Sequence, residues 1–377
     1  MNIAIIDSDL IYIKNHRFPN LACTKLSGYY KSQGCNVELK LDYNNLDKYD
    51  IVFISKVFTS TIVPNDVLKL DNVKYGGTGF FYDNASPLPY EIEHCMPDYS
   101  LYDDFIASKI TKESDKKKYK YYTDYSIGFL TRGCFRHCSF CVNKNYDRVF
   151  LNSRLEEFYN PNRPKICLLD DNFLGYSDWK ILLNDLQSTS RKFQFKQGLD
   201  ERILTDNKAK ELFNSKYDGD YIFAFDNIED KDIIEEKAQL IKKYNITKGQ
   251  NVKFYILCAY DKNNKYDIDF WKDDIKNTFD RIFTLSKYNF KPYIMRYEKY
   301  KQSPLYGTYV NLACWCNQPF LFNNLSYYDF CIKDDLRKSN GNKTSATWRY
   351  YDELLNIFPD IEHYLNIIPK HTLIKEW

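Results

Sequence analysis

Three cysteines standing close together carry the clearest chemical signal in the chain: Cys134, Cys138 and Cys141, in TRGCFRHCSFC (131–141). Thiolates are metal ligands, and spacings of three and two intervening residues let one curled loop turn all three toward a common centre. A tetrahedral zinc takes four ligands. His137 is the local fourth candidate, although it directly precedes Cys138 and the two compete for one geometry. A cubane iron–sulfur cluster is the alternative, because three thiolates hold three of its irons and leave the fourth open to a ligand. The remaining eight cysteines are dispersed, which is too dilute for a disulfide scaffold. Cys167 in KICLLDD and Cys258 in FYILCAY read as buried thiols. Cys314 and Cys316, in NLACWCNQ, are one residue apart, and their side chains diverge on an extended backbone. They are ordinary thiols, a reactive pair, or with Cys331 a second metal site.

A second set of polar residues sits where apolar runs stop. KICLLDDNF ends in Asp170, Asp171 and Asn172, and FQFKQGLDERI carries Gln197, Asp200 and Arg202. YIFAFDN ends at Asp226, VKFYILCAYD at Asp261, and KPYIMRYEKY holds Arg296. The runs themselves have strand character, and helical spacing separates them over 178–189, 205–214, 230–244 and 271–287. Repeated strand–helix units predict an α/β chain with parallel sheet, whose chemistry gathers at the carboxyl ends of strands. The first hundred residues repeat the pattern on a smaller scale. NIAIID, CNVELKL and IVFISKV read as strands, and 20–33 as a helix stopped by Gly34. Gly76, Gly77 and Gly79 in KYGGTGFF either let backbone approach a ligand or simply make a turn. They do not form GxGxxG, so the dinucleotide fingerprint is absent.

Residues 101–125 read as a charged, tyrosine-rich linker, and 301–377 as an aromatic, irregular tail. The linker's KKKYK is a solvated run, or a contact for an anionic partner. With 53 basic and 51 acidic residues, a net charge of +2 gives no global argument for nucleic acid. The opening MNIAIIDSDLIYI lacks a basic leader, and no apolar run approaches the length of a membrane span. A cytoplasmic location is the corresponding expectation. Trp315 and Trp348 are candidates for stacking on a ring-bearing substrate, or core residues.

CFRHCSFC, with its lead-in FLTRGC and with Phe140 before the last cysteine, resembles the CxxxCxxC signature of radical S-adenosylmethionine enzymes. The form TRGCxxxCxFC is most similar to methylthiotransferases and to members with a cobalamin-binding-type front domain. The resemblance spans 126–300 and, more loosely, 1–80. It implies a Rossmann-like, cobalamin-binding-type domain over 1–100 and a partial (β/α)6 TIM-like barrel over 126–300; the linker over 101–125 joins them, and the tail over 301–377, which the resemblance hardly covers, is expected as an extension capping the barrel. It further implies that Cys134, Cys138 and Cys141 hold a [4Fe–4S] cluster whose open iron chelates S-adenosylmethionine. Reductive cleavage then yields a 5'-deoxyadenosyl radical that takes a hydrogen from a small-molecule, peptide or nucleobase substrate. The electron comes from a donor such as flavodoxin or ferredoxin.

Carried onto this sequence, the resemblance assigns cofactor contacts to Phe140, Asp170, Asp171, Asn172, Gln197, Asp200, Arg202 and Arg296. The glycine-rich triplet usual at the second strand is missing, and Asp171 stands in as the acidic candidate for the methionyl ammonium. Cys316, with Cys314, becomes a candidate catalytic thiol for hydrogen return. GCNVELKL resembles a segment of the cobalamin-binding-type fold, but the DxHxxG motif is absent and His16 stands without it. Cobalamin-dependent methyl transfer and methylthiotransferase-like nucleic-acid modification are the alternatives, and a zinc-binding module is the non-catalytic one.

Overall fold

The computed structural model describes residues 1–374. The chain divides into two compact units, Met1–Lys196 and Gln197–Trp377. Both are mixed α/β with parallel sheets.

The first unit opens on a four-stranded parallel sheet. Its strands are β1 (Asn2–Asp7), β2 (Asn36–Lys40), β3 (Ile51–Ser55) and β4 (Val73–Gly76), in the order β2-β1-β3-β4. β1 is central, which explains its unbroken apolar sequence: a strand covered on both faces has no polar side. Ile3 and Ile5 pack with Cys23, Leu26, Ile92 and Tyr102, while Ala4 and Ile6 pack with Val52 and Ile54. The helix Leu21–Ser32 between β1 and β2 starts at Asn20, whose side chain accepts from the Cys23 N–H. Gly77 and Gly79 are explained by packing. A Cβ on Gly77 would stand 2.4 Å from the Lys56 carbonyl oxygen, and one on Gly79 would stand 2.8 Å from that of Phe58. The glycine turn closes on the chain leaving β3.

The stretch read as a linker carries buried residues of its own, including Leu101, Tyr102, Ile106 and Tyr122. Its lysines Lys116 and Lys118 are exposed and pair with Glu113 and Asp115. Beyond it lie β5 (Tyr125–Gly128), the short antiparallel pair β6 (Thr131–Arg132) and β7 (Phe150–Leu151), then β8 (Lys165–Leu168) and β9 (Lys192–Phe195). β5, β8 and β9 make a three-stranded parallel sheet in that order. Arg163 is buried and ties this sheet to the preceding chain, donating to the carbonyls of Tyr99, Tyr122 and Tyr125.

In the second unit β10 (Tyr221–Ala224), β11 (Val252–Cys258) and β12 (Lys291–Arg296) form another parallel sheet. Helices Lys231–Tyr244 and Ile268–Lys287 provide the crossovers. Arg281, 2 % exposed, donates to the carbonyls of Phe225, Asp226 and Leu257, where β10 and β11 end. The tail differs from the sequence expectation. It is not irregular but helical, over Tyr306–Cys316, Pro319–Asn324, Tyr327–Ser339 and Ala346–Ile357. The first of these is apolar nearly all round, so no amphipathic period marks it. Its burial comes from tertiary packing: Trp315 lies among Phe279, Phe322 and Tyr327, with its indole N–H donated to the Leu325 carbonyl.

Candidate metal centre

The cysteine loop leaves the carboxyl end of β5, passes through β6, and returns through β7. β8 lies beside β5 with Gly128 opposite Leu168. Carried past the last ladder pair, that register sets the chain after β8 against the rising limb of the loop. Asp170 is fully buried, and its carboxylate accepts from the N–H groups of Leu130 (3.1 Å) and Thr131 (2.6 Å) and from the Thr131 hydroxyl (2.7 Å). Asp171 accepts from the Gly133 N–H at 2.8 Å and from Asn143 Nδ2 at 2.6 Å. Asn172 donates through Nδ2 to the Cys134 sulfur at 3.4 Å. The acidic triplet therefore has hydrogen bonds to the cysteine loop. Burial raises both carboxyls, Asp170 to about 7, although the N–H and hydroxyl donors pull the other way.

The loop has one position that only glycine fits. Gly133 has φ +88°, and a Cβ there would stand 2.3 Å from the Arg148 carbonyl oxygen. Cys134, Cys138 and Cys141 are all half-buried. The Cys141 N–H donates to the Cys138 carbonyl at 2.8 Å, and the Asn143 N–H donates to the Cys141 sulfur at 3.4 Å. Hydrogen bonds to sulfur are among the features that tune a cysteine-held iron–sulfur cluster. His137, in the left-handed region at φ +49°, turns its ring elsewhere. Its Nδ1 lies 2.7 Å from the Lys144 carbonyl and its Nε2 3.5 Å from Asp147.

Among the described residues no three His, Cys, Asp or Glu side chains converge on a point as one metal ion requires. A cubane makes a different demand, since each thiolate meets a different iron and the sulfurs stay apart around its rim. Three half-buried thiols on one loop, two of them facing N–H donors, fit that donor set. They do not form the four-ligand set of zinc with His137.

Contacts from the earlier part of the same unit reach the loop, and nothing in the sequence signals them. The Tyr82 hydroxyl donates to the Phe140 carbonyl at 2.7 Å, and Asp83 pairs with Lys144 at 2.9 Å. Glu93 accepts from Arg132 and from Asn152, both at 3.1 Å, at the base of the β6–β7 ribbon. Burial alone would raise the Glu93 carboxyl, but Arg132 and Lys25 outweigh it and hold it below its ordinary value. Asn143 is likewise unmarked in the sequence. Arg136 lies over the Phe135 ring at 5.1 Å.

The second unit holds the other candidates. Arg202 bonds Asp200 at 2.8 Å and Asp230 at 3.3 Å. Glu201 beside it is 2 % exposed, and burial lifts its carboxyl to about 8. Gln197 is exposed. Arg296 is also exposed, 4.6 Å over the Tyr300 ring, and no carboxylate among the described residues pairs with it. Cys314 and Cys316 sit on one helix and do not converge. Cys314 is exposed, while Cys316 is buried with its thiol toward the Pro292 carbonyl at 3.6 Å.

The site for cobalamin would be the crevice at the carboxyl ends of β1 and β3, where the strand order of the first sheet reverses. That position is filled by the chain's own side chains. Tyr102 donates to Asp7 at 2.9 Å and accepts from the Asn20 N–H, and Asn20 donates to Ser55 at 3.0 Å. His16 lies 3.2 Å from the Tyr122 hydroxyl. These residues do not fit cobalamin.

No family model matches the sequence, and no curated protein matches it. Among solved structures the chain is similar to that of the cobalamin-dependent S-adenosylmethionine radical enzyme OxsB with aqua-cobalamin bound. The identity is 12 % and the TM-score 0.37. The apo, selenomethionine-labelled form of OxsB is similar at 14 % identity and a TM-score of 0.37. In both comparisons all of this chain is covered, but only 58 % of the other. Scores of this size assign the chain no family, no activity and no residue role.

Proposed function

We propose that the chain is a radical S-adenosylmethionine enzyme in which Cys134, Cys138 and Cys141 hold a [4Fe–4S] cluster. The observation that carries the reading is the CxxxCxxC loop itself, opening from the carboxyl end of a parallel strand and braced by the end of the next. When bound and reduced, the cluster supplies the electron that cleaves S-adenosylmethionine to a 5'-deoxyadenosyl radical. The protein's part is positional. Asp170 fixes the chain entering the loop, Asn172 and the Asn143 N–H face two of the sulfurs, and Gly133 permits the sharp entry. A partial barrel is the architecture that goes with this reading.

The test is anaerobic purification and reconstitution with iron and sulfide. A brown protein with about four irons per chain, forming 5'-deoxyadenosine on reduction with dithionite, supports the reading. A colourless protein binding one zinc would overturn it.

A further inference from the structure

We propose that Asp171 is a positioning residue that latches the cysteine loop shut through Asn143. The inference rests on the reading of that loop as a cluster site. Asp171 Oδ2 accepts from the N–H of Gly133, the residue directly before Cys134. Its Oδ1 accepts from Asn143 Nδ2, two residues past Cys141. One carboxylate thus joins the entry and the exit of the segment that carries all three thiols. Its neighbours brace other points of the same chain: Asp170 accepts from Leu130 and Thr131, and Asn172 donates to Cys134. The Asn143 backbone N–H also faces the Cys141 sulfur, so the latch holds the last thiol at the same residue.

The latch matters because the chain between β6 and β7 has no strand ladder or regular helix to order it. Gathering three thiols from an open loop costs backbone entropy, and a crosslink across the loop's neck removes part of that cost before the ligand arrives. Both partners of Asp171 are N–H donors, so the position calls for an acceptor on each side. A carboxylate supplies that, whereas an amide would turn a donor toward one of them. Exchanging the two side chains restores the complement. The amide then at position 171 would accept from the Gly133 N–H and donate to the carboxylate then at position 143, with the net charge of the loop unchanged.

The experiment uses the full chain, reconstituted anaerobically with iron and sulfide, as wild type, Asp171→Asn, and Asp171→Asn with Asn143→Asp. Cluster loss to EDTA is followed by absorbance, the reduced cluster by EPR, and folding of the metal-free chains by circular dichroism. Asp171→Asn should lose its cluster about tenfold or more faster than wild type, in line with the 10- to 100-fold by which losing supporting contacts weakens metal affinity. The exchanged pair should return toward the wild-type rate and EPR spectrum. An exchanged pair no better than the single variant overturns the latch. So does a single variant that keeps its cluster as wild type does. A wild-type chain that takes up no iron overturns the cluster reading and this inference with it.

Discussion

At the residue scale, the sequence exposes chemistry through type and spacing, and partners decide what that chemistry is used for. Cys134, Cys138 and Cys141 are legible because a thiol triplet on one loop has few other uses. His137 is equally conspicuous, yet both ring nitrogens face oxygen atoms. Cys138→Ala should therefore abolish cluster binding and S-adenosylmethionine cleavage, while His137→Ala should keep its iron, measured by colorimetric iron assay after reconstitution. Full cleavage activity in Cys138→Ala would sink the radical mechanism. Arg202 stands out in the sequence as a cation after a strand, but its geometry is that of an ion pair with Asp200 and Asp230. Such partners lie near in sequence for Asp200 and far for Asp230, and only the first is readable. Asn143 and Tyr82 carry no sequence signal, because a polar residue becomes a contact only when the fold brings its partner to it.

At the element scale, strands and crossover helices follow closely from periodicity. The helices read over 178–189, 205–214 and 230–244 are found as Trp179–Ser188, Asp206–Phe213 and Lys231–Tyr244. What periodicity omits is the ties between element ends. Arg281 lies inside the helix Ile268–Lys287, on its buried face, and its guanidinium serves three carbonyls at the ends of β10 and β11. Arg281→Met would leave those carbonyls without their donor. We expect a loss of about 3 kcal/mol or more, read as a lowered urea midpoint by circular dichroism. An unchanged midpoint would mean the carbonyls find other donors. Gly133→Ala places a Cβ against the Arg148 carbonyl in a backbone conformation that L-residues disfavour. It should cost about 1–3 kcal/mol of local strain, open the loop, and lower iron uptake while leaving the far-ultraviolet spectrum as in wild type.

At the scale of the whole molecule, each unit keeps a carboxyl group inside whose pKa burial raises: Asp7, to about 7, and Glu201, to about 8. Unfolded, both ionise near pH 4. Between about pH 4 and 7 the folded chain thus holds protons the unfolded chain has lost, so stability falls as pH rises through that window. His16, lowered by burial, acts in the opposite sense, its contribution present above its ordinary value and lost below it. With Asp7, Asp170 and Glu201 set against His16, the melting temperature should be higher at pH 6 than at pH 8. Asp7→Asn should flatten the slope between about pH 4 and 7, measured by thermal melts across that range; an unaltered slope would exclude Asp7 as its source. None of this is written locally, since Asp7 is an acid at the end of a strand whose hydroxyl partner, Tyr102, lies far along the chain. The sequence by itself determined the α/β rhythm, the loop that can take a metal and the residue types at strand ends, because periodicity, spacing and side-chain chemistry are local properties. Only the tertiary structure decided that Asp170, Asp171 and Asn172 face the cysteine loop, that Tyr102 fills the crevice of the first sheet, and that Trp315 and Cys316 lie in a helical core. Burial and hydrogen-bond partnership are properties of residues brought together from distant parts of the chain.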